Sequence, residues 1–195
     1  MADNNIRLAS DPHLRRWMMF IDGDMIILPM IVTQAVASIT RPANTTTYTP
    51  GDVITDDSNS RLVFSLLNRY GTDAMDGYEI KSAVCVSDAN QVTDPDLELW
   101  LFVSDPTDLA ADNAAFAPTD AELRSLAGIV MFPVASFVVG NAGSGVSGNV
   151  ACIATNIGIA ADAPTLFGVL VVRNAYVPVS AEKFIVTLQV VKSQN

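Results

Sequence analysis

Tyr78-Glu79-Ile80-Lys81-Ser82-Ala83-Val84-Cys85-Val86 is the stretch on which the fold turns. Side chains alternate between the two faces of a strand, so at that period Tyr78, Ile80, Ser82, Val84 and Val86 share one face. Glu79 and Lys81 fall on the other. Near the far end of the chain, Phe184, Val186, Leu188 and Val190 alternate against Ile185, Thr187, Gln189 and Val191 in the same way. Both runs predict strands with one face packed and the other at least partly wet.

Working outward from these runs, the chain after about Thr33 is punctuated at short intervals by Gly, Pro, Asn or Asp, with Val, Ile, Leu and Phe between. Short strands bounded by turn residues indicate a sandwich or barrel. Strands are expected at Ile31 to Ile39, Asp52 to Ile54, Arg61 to Leu67, Tyr78 to Ser87 and Leu97 to Val103. Four more are expected at Gly128 to Phe132, Val150 to Thr155, Thr165 to Asn174 and Lys183 to Val191. The fold class is therefore all-β, a single antiparallel β-sandwich that is jelly-roll-like, although strand count alone does not separate a jelly roll from another sandwich. Helical signals amount to one or two short turns. Thr119-Asp120-Ala121-Glu122 has the capping-box pattern, followed by Leu123 and Leu126 and closed by Gly128, which predicts two turns of helix. Asp105-Pro106-Thr107-Asp108 is a candidate for a similar turn before Phe116. Gly140 to Gly148 reads as a flexible loop. In the block from Arg41-Pro42 to Asp52, the prolines fix φ and Gly51 frees a turn, so a stiff excursion between two strands is expected.

Composition narrows the chemistry. Of 195 residues, half are apolar and 16% charged, with 21 acidic against 11 basic side chains for a formal net charge of -10. His13 is the only histidine, which argues against Ser-His-Asp and Cys-His catalysis and removes multi-histidine metal sites. No catalytic, cofactor-binding or metal-binding residue is assigned, and an enzyme is not expected. The acidic balance argues against nucleic acid as a partner, because phosphate binding needs clustered Lys and Arg. Trp17 to Val32 is apolar, but Asp22 and Asp24 interrupt it and Pro29 follows, against the roughly 20 apolar residues of a membrane-spanning helix. Neither a membrane nor a secretory signal is expected, although Ala35-Val36-Ala37 resembles a cleavage site. Cys85 and Cys152, each inside an apolar alternating run, read as two buried free thiols.

Nine carboxylates lie between residues 88 and 122: Asp88, Asp94, Asp96, Glu98, Asp105, Asp108, Asp112, Asp120 and Glu122. They match neither the spacing of a calcium loop nor any other metal or catalytic pattern, and read as solvated turn residues. Trp100, opposite Leu99 and Leu101 in its run, reads as a core or interface aromatic in preference to a sugar platform.

The first 30 residues differ from the rest, holding five of the seven methionines, the histidine and three of the eleven basic residues. Residues 1–30 read as an extended N-terminal arm on a β-sandwich domain of residues 31–195. Met suits a surface that must fit a partner. The candidate partner-binding residues of this arm are Arg7, His13, Arg15, Arg16, Trp17, Met18, Met19 and Phe20. The alternative is that Trp17, Met18, Phe20, Ile26 and Ile27 form the first strand of the core.

Five blocks resemble a family of tailed-phage virion structural proteins of the capsid decoration, or cement, type. They are the stretches from Ser38 to Val53, Leu97 to Phe102, Asp112 to Leu123, Leu166 to Tyr176 and Phe184 to Val190. The resemblance covers about residues 36 to 191 and departs in the arm. It implies a homotrimer made in the host cytoplasm, sitting on the outer capsid surface of the virion between capsomers and bound to the major capsid protein. The alternative is a tail or fibre component whose sandwich binds a glycan, with Trp100 or Tyr176 as stacking platform.

Overall fold

The structure is a computed structural model that describes residues 7–11, 16–21, 24–28, 32–66, 77–89, 94–107, 109–139, 149–159 and 165–192. The chain divides into two compact units, Met1–Val32 and Thr33–Asn195.

The first unit holds three strands, β1 (Arg7–Asp11), β2 (Arg16–Ile21) and β3 (Asp24–Leu28), paired as an antiparallel sheet in the order β1-β2-β3. The segment read as an arm is thus extended in backbone but doubled back twice. The register sets Met19 between Leu8 and Ile26, and Trp17 between Ser10 and Leu28.

The second unit is a sandwich of two antiparallel sheets. Its elements in chain order are β4 (Val32–Thr40), β5 (Val53–Ile54), β6 (Leu62–Ser65), β7 (Tyr78–Ser87), β8 (Leu97–Phe102), α1 (Asp120–Leu123), β9 (Leu126–Phe132), β10 (Phe137–Val139), β11 (Asn149–Ile159), β12 (Thr165–Val172) and β13 (Lys183–Lys192). One sheet runs β10-β11-β7-β13-β4 and the other β5-β12-β8-β9, with β6 also on β12. The unit's first strand lies beside its last, and the second and third beside the penultimate. That nesting is the wiring of a jelly-roll-like sandwich.

The core lies between the sheets, where Ile80, Cys85, Leu99, Phe132, Phe184 and Val186 are all fully buried. Gly168 of β12 fits between Phe64 and Leu99, with room for no side chain: a Cβ there would lie 2.8 Å from Phe64 Cε2 and 2.9 Å from Leu99 Cδ1.

Three expectations change. In β7 the buried residues are Tyr78, Ile80, Ala83, Cys85 and Ser87. Gln189 faces Ser82 but Val190 already faces Ile80. Lys81 is therefore an extra residue, and this β-bulge reverses the two faces beyond it. Ser82, Val84 and Val86, which strict alternation groups on one face with Tyr78 and Ile80, instead point outward while those two stay buried. The capping box at Thr119 is present, with Glu122 N–H donating to Thr119 Oγ1 (3.3 Å) and Thr119 N–H to Glu122 Oε2 (2.8 Å). The helix nevertheless stops at Leu123, because Leu126 to Gly128 pair with β8 as strand. Asp105 to Thr107 open no helix; the other short helical turn is at Val134–Ser136.

Candidate partner-binding surfaces

The sequence candidates fall on the first unit. Arg7 opens β1 and pairs with Phe20, while Arg16, Trp17, Met18, Met19 and Phe20 make up most of β2, the central strand. Arg16 pairs with Asp11. His13 and Arg15 lie outside the described residues.

Several ionic groups among the described residues of the sandwich unit are bound up in holding it together. Arg41, 1% exposed, donates from Nε to Tyr48 Oη (2.9 Å) and from its terminal nitrogens to Asn44 O (2.6 Å), Asn44 Oδ1 (3.0 Å) and Val179 O (3.2 Å). Its Nη2 also pairs with Asp112 at 3.4 Å. Asp112 accepts from Tyr48 Oη at 2.6 Å and from Thr55 N–H at 3.1 Å. Tyr48 stacks on Tyr176 with ring centroids 6.1 Å apart, and Tyr176 Oη donates to Glu182, which also accepts from Ser87 Oγ (2.6 Å). This chain of contacts clasps the excursion after β4 to the segments around 112 and 173–182. Gly51, at φ +101°, takes the turn that Pro50 leads into, and its N–H donates to Val172 O at 2.7 Å. Burial and the Asp112 bond push the Tyr48 phenol well above its usual range.

Several of the carboxylates read as solvated are structural anchors, whereas Asp120 is exposed as that reading expected. Asp88 accepts from Lys183 N–H at 2.8 Å, Asp94 from Asn149, Asp96 from Val134 N–H, and Asp105 from Arg61. Glu98 lies partly buried, which alone would raise its carboxyl. Hydrogen bonds from Arg173 and Trp100 outweigh that and hold it below the usual carboxylate range. Among the described residues no group of three or more His, Cys, Asp or Glu is placed to hold a metal ion. No described helix is long and apolar enough to cross a membrane.

Neither aromatic considered as a sugar platform is free. Tyr176 is 1% exposed, and Trp100 meets Phe116 edge-on at 5.2 Å while its Nε1–H donates to Glu98 at 2.8 Å. Trp100 belongs to a second apolar cluster on the outside of the β5-β12-β8-β9 sheet. There Val53, Phe102, Val169 and Val171 are buried beneath Leu109, Ala110 and Phe116.

The outer face of the five-stranded sheet has no such cover among the described residues of its unit. Because of the bulge, Ile185, Val86, Val150 and Val138 form one row across four strands. Thr187, Val84 and Cys152 form the next. Gln189, Ser82 and Ala154 follow. None of the ten is an acidic or basic residue. Cys152 is exposed, against the expectation of burial, and Cys85 is buried on the opposite face, so both are free thiols. Their strand partners state the same geometry: Cys85 faces Ala151, one residue short of Cys152.

No protein-family model and no curated protein matches this chain.

Proposed function

We propose that this chain is a virion structural protein of the capsid decoration type. It binds the outer surface of a phage shell between capsomers as a homotrimer, in contact with the major capsid protein. Its first unit, with Arg7, Arg16 and the run Trp17 to Phe20 on two of its strands, supplies the attachment surface. The observation that carries this reading is the combination of an uncharged outer sheet face with ionic side chains committed to internal clasps, which suits work done by contact area and not by chemistry. The sequence blocks that resemble decoration proteins also supply Arg41, Tyr48, Asp112 and Tyr176 of the clasp. An acidic exterior keeps crowded particles apart in solution. The burial of Tyr176 and the edge contact of part-buried Trp100 with Phe116 weigh against the glycan-binding fibre reading.

Quantitative mass spectrometry of purified particles of the encoding virus tests the proposal. Hundreds of copies per particle are expected. A handful to a few dozen copies points to a fibre, and absence from the particle contradicts both readings.

A further inference from the structure

A chain with a formal charge of -10 repels a second copy wherever two acidic surfaces approach. That repulsion vanishes only where the approaching face is itself uncharged. The outer face of β10-β11-β7-β13-β4 meets this condition across its middle. At one end Glu79 forms an ion pair with Lys81, and at the other Asp88 accepts a hydrogen bond from the backbone N–H of Lys183. A strongly basic or acidic partner finds no complement here, whereas an identical face does. Size agrees as well: four strands of nine to eleven residues and the three-residue β10, ~4.8 Å apart and rising ~3.3 Å per residue, cover roughly 700 Å². Each partner in a standard-size interface contributes about that area. At the two edges of the sheet, Val138 is 67% and Val36 56% exposed.

We propose that this outer face is the surface a second copy of the chain occupies, each subunit turning it toward its neighbours in the oligomer. The inference rests on the reading of the chain as a self-assembling shell protein and names the face that reading requires. Cys152, in the middle row, is a built-in reporter, because Cys85 is fully buried and its thiol is pushed up to about 12 by burial and by nearby Glu182. In the folded protein a maleimide therefore reports on Cys152 among these two thiols.

The test measures oligomer mass by sedimentation velocity and maleimide labelling on the same full-length samples across a concentration series. The expected result is loss of Cys152 labelling as the oligomer fills. The outward-facing substitutions Val86→Lys and Thr187→Arg are each expected to leave the circular dichroism spectrum and cooperative melt intact. Both should give a monomer that labels freely. An oligomer whose Cys152 reacts at the monomer's rate overturns the assignment of this face and leaves self-assembly standing. A chain that stays monomeric throughout overturns the proposal, and the copy number in particles then judges the decoration reading separately.

Discussion

Arg41 is a charge the fold has taken out of water, and its surroundings state the terms. Burying a guanidinium is tolerable only when its donors and its charge are both met; Tyr48, Asn44, Val179 and Asp112 together do so. Replacing it by leucine keeps the bulk but leaves the Asp112 carboxylate, whose side chain is only 7% exposed, without its cation. Arg41→Leu should lower unfolding stability by about 3–5 kcal/mol, read from the urea midpoint; a change below 1 kcal/mol would mean that the clasp is dispensable. A pH effect belongs to the same scale. Tyr48, Tyr78 and Cys85 are all raised, chiefly by burial, above the values they have in the unfolded chain. Their contribution to stability is therefore complete below the unfolded thiol and phenol values, about 8.5 and 10. It is lost as pH rises through that range toward the folded values. Denaturation midpoints between pH 7 and 11 should fall steadily above about pH 9, and a flat profile would contradict the burial of these groups.

Among the elements, Gly168 marks the tightest point of the core. Gly168→Ala forces Phe64 and Leu99, both fully buried, to give way, with an expected loss of about 1–3 kcal/mol in the same denaturation assay. The strands between residues 31 and 192 were legible because period-two alternation and turn residues speak to the same local physics. What escaped depends on partners far along the chain. The extra residue Lys81 has no local signature, so which of Val84 and Cys85 faces the core is decided only by pairing with β11 and β13. Leu126 to Gly128 satisfied a helical pattern as well as a strand, and the ladder with β8 settled it. Phe137–Val139 is too short to show a period. In the first unit, the reading of an extended arm passed over the hairpin signal of Asp22-Gly23 between two apolar runs, where Ile21 pairs with Asp24. The candidate site was less legible than the fold. Solvated carboxylates and anchoring ones look alike in sequence, and an apolar outer face is visible only once the bulge is known.

At the scale of the whole molecule, the chain divides into two compact units, and the proposed decoration role assigns attachment to the first. Deleting residues 1–28 should leave the cooperative melt of the sandwich nearly unchanged while reducing binding to shells that lack the protein, assayed by co-sedimentation. Full binding by the shortened chain would place attachment on the sandwich instead. The net charge of -10 belongs to this scale too: under the proposed role it would hold coated particles apart, and copies would have to meet through neutral faces. The most direct test of the decoration role is a cryo-electron microscopy reconstruction of the virion. Density for this sandwich is expected on the outside of the capsid, between capsomers and touching the major capsid protein. Density for it confined to the tail, or no place for it in the particle, would rule that role out.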